Sequence, residues 1–201
     1  MLSMGDANQL AYLRHWVPKV EGPVLEVGSR EYGSTASFRG FYAGAEYVGL
    51  DMAEGEGVDV VVDLRRTIEP LAQGHFALAI CCSVLEHVDR PWTFAENLTR
   101  LVRPGGLLYM SVPWAWRYHA YPDDYFRFSH RGVIALFGDF EWRAMYYSTT
   151  VPGEFVAIEP PAGEPHPDDQ MTMRTRREDG NSRSYLPCLM VNMLGTRRAA
   201  G

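Results

Sequence analysis

The sequence predicts an α/β domain built on a doubly wound, mostly parallel sheet, and three observations lead there. Apolar runs rich in β-branched residues recur as PVLEVGS, EYVGLD, VDVVVDL, HFALAICC and GGLLYMSV, the pattern of strands covered on both faces. Segments with helical spacing or turn residues separate them, as crossover connections between parallel strands require. The first run closes on Gly28 and a turn, and in open sheets of this kind ligands gather at the carboxyl ends of the strands. A chain of 201 residues buries one substantial core, so residues 1–201 are read as a single domain.

Taken in order, Leu10, Leu13 and Val17, with Tyr12 and Trp16 between them, give residues 6–16 the spacing of a short amphipathic helix that Pro18 ends. PVLEVGS follows as the first strand, then a Gly/Ser turn and a helix over about 34–42. EYVGLD and VDVVVDL supply the second and third strands and HFALAICC the fourth. PWTFAENLTRLV is a helix with Leu98, Leu101 and Val102 on its apolar stripe, stopped by Pro104-Gly105-Gly106. GGLLYMSV is the fifth strand. Residues 113–130, containing WAWRYHAYPDDYFRFSH, have no clean period and read as a loop over the ligand edge, leading into a helix near 131–137. EWRAMYYSTTV and LPCLMVNMLGT close a seven-stranded sheet, joined by a long polar Pro/Gly-rich connection over 152–187.

Composition removes several classes of function. Net charge is -6, which disfavours a nucleic-acid surface because phosphate contacts demand a basic face. The late arginines Arg174, Arg176, Arg177, Arg183, Arg197 and Arg198 are interrupted by Glu178 and Asp179 and read as a solvated loop. No apolar run approaches the roughly 20 residues that span a bilayer, and MLSMGDANQL has neither a basic leader nor an apolar stretch, so a cytoplasmic protein without a membrane partner is expected. Cys81, Cys82 and Cys188 lie in apolar runs and read as reduced core thiols. No His, Cys or carboxylate set has metal-ligand spacing, so no metal is expected. Lys19 is the single lysine, which leaves lysine-dependent mechanisms without a candidate elsewhere.

The strongest constellation is Glu26-Val27-Gly28-Ser29-Arg30-Glu31-Tyr32-Gly33, set between a strand and a helix. Glycines at 28 and 33 let a ligand lie against the main chain. Asp51 closes the second strand, where a carboxylate accepts hydrogen bonds from both ribose hydroxyls, and Asp63-Leu64 ends the third. Together these point to an adenosine-containing ligand.

With VLEVGSREYG, YVGLDM, FALAICCSVLEHVDRPW and LTRLVRPGGLLYMSVP, the chain resembles the class I S-adenosylmethionine-dependent methyltransferases, over roughly residues 23–112 with some extension to Phe137. SVLEHV after the fourth strand and RPGG before the fifth are similar to the family's small-molecule branch. The resemblance implies a Rossmann-like fold, S-adenosylmethionine as cofactor and a small-molecule acceptor. It implies that Glu26, Gly28 and Gly33, with Ser29 and Arg30 in the same turn, surround the amino-acid end of the cofactor, Asp51 the ribose, Met52, Asp63 and Leu64 the adenine, and Ser83 with His87 the region near the sulfonium. Two departures stand out. Arg30 occupies the family's usual middle glycine position, to pair with the cofactor carboxylate or with a neighbouring acid. Only 12 residues separate Asp51 from Asp63, little room for the usual helix, so that side of the adenine pocket is open or loop-built.

Methyl transfer from a sulfonium is an in-line displacement, and the enzyme's task is to align the acceptor in a dry site. A hydroxyl acceptor also loses a proton, for which the candidate bases are His119, first, and His87. Asp123 or Asp124 would orient the His119 ring, and Tyr121, Tyr125 and Arg127 would line the acceptor pocket. The opposing reading makes HAYPDDYFRFS a structural lid whose Asp and Arg cap the following helix. A hydroxyl of a sugar or natural product suits this aromatic, Arg-containing edge. Two other classes of answer stand beside this one: a non-catalytic cofactor-binding subunit, and an NAD-type oxidoreductase, whose fingerprint wants glycine at position 30. The sequence is silent on oligomeric state.

Overall fold

The computed structural model describes residues 3–33, 37–159, 162, 173–176, 182–185 and 188–199. Five parallel strands form one half of the sheet: β1 (Val24–Val27), β2 (Tyr47–Asp51), β3 (Val60–Val61), β4 (Phe76–Cys82) and β5 (Val102–Pro113). The other half is antiparallel: β6 (Phe140–Thr149), β7 (Phe155–Ala157) and β10 (Cys188–Arg197), with β10 inserted between β5 and β6. The order across the eight-stranded sheet is β3-β2-β1-β4-β5-β10-β6-β7, and β8 (Met173–Arg176) pairs separately with β9 (Ser182–Tyr185). All seven expected strands are present. β7 adds an eighth at the edge, inside the 152–187 segment, where much of the rest lies outside the described residues.

Strand order reverses between β1 and β4, which opens a crevice above their carboxyl ends. The faces of the sheet are filled by alternate side chains. Leu25, Val27, Ala79, Cys81, Leu108 and Met110 face α2 (Pro91–Leu101) and α3 (His130–Leu136), while Val24, Leu78, Ile80, Leu107 and Tyr109 face α1 (Met4–Trp16). Phe94, Leu98 and Leu101, spaced by a helical turn, are the buried stripe of α2, and each contributes about 1.5–3 kcal/mol by leaving water. On the opposite face Tyr12 stacks on Tyr109 with ring centroids 4.8 Å from Trp16 and 4.7 Å from Tyr109. Ser3 caps α1, its Oγ accepting from the Asp6 N–H at 3.1 Å.

Two elements are shorter than the sequence suggests. The helix expected over 34–42 is a single 3-10 turn at Arg39–Tyr42, with residues 34–36 outside the described set. Gly40 within it and Gly44 just after it, the latter at φ +96°, are poor helix formers, and one turn already buries Phe38 and Tyr42. The third strand shrinks to Val60–Val61, so Asp63 sits in a turn beyond it. No helix joins β2 to β3, as the short spacing requires. Among the described residues no helix is long and apolar enough to cross a membrane.

Candidate active site

A cavity of about 930 Å³ opens at the carboxyl ends of β1, β2 and β4 and is walled on its far side by residues 113–122. That volume lies near the top of the range for small-molecule sites and leaves room for two ligands side by side. Of the residues expected around the cofactor, Glu26, Gly28, Arg30, Asp51, Met52, Asp63, Leu64, Ser83 and His87 line it.

Glu26 projects from β1, 8 % exposed, and its Oε2 accepts from the Tyr47 hydroxyl at 2.5 Å. Burial pushes its carboxyl up to about 7, against the Tyr47 bond and the nearby Arg39 charge. Gly28 turns the chain at φ +77°, and a Cβ there would lie 2.3 Å from Val84 Cγ2, so both backbone angle and packing require glycine. Arg30 lines the cavity with its stem packed at Gly55 and its guanidinium 5.2 Å over the Tyr32 ring. It pairs with no carboxylate among the described residues, which leaves its charge available to the cavity. Asp51 closes β2; its Oδ1 accepts from the Ala53 N–H at 3.0 Å, and Oδ2 has no partner among the described residues.

Three expected cofactor residues are placed differently. Asp63 lines the cavity, but its carboxylate is filled by Arg65, which donates from its backbone N–H at 3.0 Å, Nε at 2.8 Å and Nη2 at 3.0 Å. Burial opposes ionisation there, yet these bonds hold the carboxyl below its usual range. Ser29 is buried behind the turn, against Gly49, and does not line the cavity. Gly33 adopts φ +76° but faces open space and likewise lies off the wall. Sequence reasoning missed Gln9 of α1, whose Nε2 donates to Ser83 Oγ at 2.8 Å and holds that cavity residue. Ser83 sits at φ +54°, an uncommon backbone conformation for a residue with a side chain and one that clusters at functional sites.

The far wall is stitched to the end of β4. The Glu86 carbonyl accepts from Tyr125 N at 2.8 Å and Phe126 N at 3.2 Å, and His87 Nδ1 lies 2.6 Å from the Asp123 carbonyl. Asp124, its side chain buried, accepts from the His119 backbone N–H at 2.8 Å, from His119 Nδ1 at 3.2 Å and from both Arg127 Nη atoms. The Arg127 bonds hold its carboxyl well below the usual range. A carbonyl and a carboxylate anion only accept, so Nδ1 carries a proton on both rings, and the neutral form of each ring presents its lone pair on Nε2. The two rings meet edge to face at 4.8 Å, with Tyr121, 58 % exposed, about 6 Å from each. Burial lowers the proton affinity of His87.

Arg127 is not a pocket residue: beyond Asp124 it donates to the carbonyls of Trp116, Arg117 and Phe126 and so shapes the loop. Tyr125 also faces away, toward Asp123, while Trp116, Arg117 and Tyr121 line the cavity. Helix α3 is capped by Ser129, not by Asp123, Asp124 or Arg127. Glu86, unremarked in the sequence, is 1 % exposed, lines the cavity and leaves Oε2 without a partner among the described residues; burial pushes its carboxyl up to about 8.

Residues 25–110 match the family model described as a methyltransferase domain. An uncharacterised methyltransferase of Mycolicibacterium gilvum is 32% identical over 98 residues, covering 44% of this chain and 38% of that protein. The ubiquinone biosynthesis O-methyltransferase of Pseudomonas paraeruginosa is 32% identical over 124 residues, 53% of this chain and 52% of that protein. The matched region thus spans about two fifths to one half of these relatives' length. The fold is shared with the 1,6-didemethyltoxoflavin N1-methyltransferase of Burkholderia thailandensis, solved with its substrate and S-adenosylhomocysteine: TM-score 0.57, 15% identity, 98% of this chain and 78% of that one.

Proposed function

We propose that this chain, whose residues 25–110 match a methyltransferase domain and whose fold is shared with a methyltransferase solved with S-adenosylhomocysteine, is a class I S-adenosylmethionine-dependent methyltransferase that catalyses methyl transfer to a hydroxyl of a small molecule. The observation that carries the reading is the two-sided cavity: carboxylates and an arginine with no carboxylate partner among the described residues on the strand side, two imidazoles on the other.

The strand side suits the cofactor. Glu26 is placed to receive its ammonium and Arg30 its carboxylate, Asp51 Oδ2 the ribose hydroxyls, and the half-exposed Met52 with Leu64 the adenine faces. Asp63, its carboxylate committed to Arg65, contributes backbone and shape there. When bound, the cofactor supplies a methyl group on a sulfonium. The protein then has to align the acceptor oxygen with that methyl and shield it from water, a task for residues 113–122 that wall the cavity. His119 Nε2 takes the acceptor proton, and Asp124 fixes the ring's tautomer and stabilises its charged form. His87, its proton affinity lowered by burial, positions the acceptor. Tyr121, Trp116 and Arg117 present aromatic faces and a cation to it, which suits a sugar or an aromatic scaffold carrying an anionic group.

The relatives support an acceptor of small size: one is named for ubiquinone biosynthesis and the other acts on 1,6-didemethyltoxoflavin. The test is transfer of labelled methyl from S-adenosylmethionine to a panel of sugars, nucleotide sugars and phenols. Transfer to a hydroxyl, lost in His119→Ala with S-adenosylhomocysteine affinity retained, is expected; transfer confined to amines or to nucleic acid would overturn the assignment.

A further inference from the structure

The cavity wall brings two neighbouring side chains together with a third from a distant part of the chain. Glu86 and His87 stand at the end of β4 and His119 comes from the loop after β5, yet one ligating atom from each falls within 4.8 Å of the others. His87 Nε2 is 3.8 Å from Glu86 Oε1. We propose that Glu86, His87 and His119 form a binding site for a divalent transition-metal ion of the zinc class, with its remaining coordination position open to the cavity.

Three features support this beyond proximity. Glu86 is almost fully buried, lines the cavity and leaves Oε2 without a hydrogen bond among the described residues, a costly arrangement for an ionised carboxylate unless a cation meets it. In its neutral form each imidazole presents a lone pair on Nε2, because Nδ1–H is donated by His119 to the Asp124 carboxylate and by His87 to the Asp123 carbonyl. Metal-bound histidines are held in this way, the outer partner fixing the tautomer and raising ligand basicity. Two imidazoles and one carboxylate form the donor set of open zinc sites and of other late divalent transition metals, whereas magnesium and calcium require mainly oxygen donors.

The site uses the same lone pairs as the proposed base chemistry. An ion held by His119 Nε2 leaves that nitrogen unable to take a proton, so the metal-loaded protein is a resting form and the metal-free protein the active one. This consequence rests on the methyltransferase reading; the binding site does not.

Binding is measured first, on tag-free chain without cofactor or acceptor, by competition between the protein and a chromophoric zinc indicator. One Zn2+ per chain is expected, with affinity lowered at least tenfold in Glu86→Gln and in His119→Ala, and about tenfold to a hundredfold in Asp124→Asn, which keeps all three ligands but weakens the outer partner of His119 together with its Arg127 ion pair. Unchanged thermal unfolding of the metal-free variants shows that they fold. Absence of stoichiometric binding, or equal affinity in Glu86→Gln and wild type, would overturn the site whatever the protein methylates. In the methyl-transfer assay Zn2+ should then suppress turnover at least tenfold at saturation, with chelator restoring it and S-adenosylhomocysteine affinity unchanged. Stimulation by Zn2+ would overturn the resting-form assignment.

Discussion

Replacing Glu26 by Gln should make the cofactor-free protein more stable and its cofactor complex weaker, a pair of opposite effects that a purely structural role does not produce. Glu26 is buried in the floor of the cavity with Tyr47 as its hydrogen-bond donor, and burial raises its carboxyl to about 7 from an ordinary value of 4.5. Because the folded value is the higher one, the native state holds the proton more tightly and the unfolded state binds fewer protons between about pH 4.5 and 7. Stability therefore falls as pH rises through that window and is flat above it. The full gap corresponds to about 3 kcal/mol. A buried glutamine keeps the Tyr47 bond but carries its own desolvation cost, so a gain of about 1–3 kcal/mol at pH 8 is expected. For a chain of this size that raises Tm by about 3–10 °C. The gain should shrink toward pH 4.5, where wild-type Glu26 is protonated in the native state. S-adenosylhomocysteine affinity should meanwhile fall about tenfold to a hundredfold, the loss of one charge-assisted contact to the ligand ammonium. Differential scanning fluorimetry from pH 4.5 to 8, with calorimetric titration at pH 8, measures both. A variant less stable than wild type at pH 8, or one that binds the ligand equally well, would refute the reasoning.

The other perturbations act on separate parts of the site. His119→Ala should lower turnover on a hydroxyl acceptor about a hundredfold or more with little change in S-adenosylhomocysteine affinity; an unchanged kcat would move the base elsewhere. Asp124→Asn should cost less than loss of the imidazole, since an amide still holds the ring but does not stabilise its charged form, and steady-state kinetics of the two variants side by side decide this. Gly28→Ala places a methyl group 2.3 Å from Val84 Cγ2 at a positive φ, so destabilisation by about 1–3 kcal/mol and loss of cofactor binding are expected; a wild-type melting curve would show that the turn has been misread.

Where local pattern and tertiary demand agree, the sequence was a good guide. Leu98 and Leu101 mark α2 at helical spacing and are fully buried in it, and Glu26, Gly28 and Asp51 are placed at strand ends that the topology brings to one crevice. Over the described part of the expected 34–42 helix only one turn forms, because apolar residues at suitable intervals do not offset glycines at 40 and 44, and that turn satisfies Phe38 and Tyr42. Asp63 was legible as a strand-end carboxylate, but its neighbour Arg65, two residues on, takes up the charge. The convergence of Glu86 and His87 with His119 was not legible at all. It depends on the loop after β5 folding back on the end of β4, through hydrogen bonds whose acceptors are backbone carbonyls of Glu86 and Asp123 and therefore leave no trace in side-chain identity. For the same reason Arg127, whose type suggests ligand contact, turned out to brace three carbonyls of its own loop.

The central claim, that the crevice above β1 and β2 holds S-adenosylmethionine, is tested most directly by calorimetric titration of wild type and Asp51→Ala with S-adenosylhomocysteine and with NADH. One molecule of S-adenosylhomocysteine should bind per chain, at least tenfold more weakly once Asp51 no longer accepts from the ribose, and NADH should give no binding heat. Binding of NADH without S-adenosylhomocysteine, or an affinity for the latter indifferent to Asp51, would contradict it.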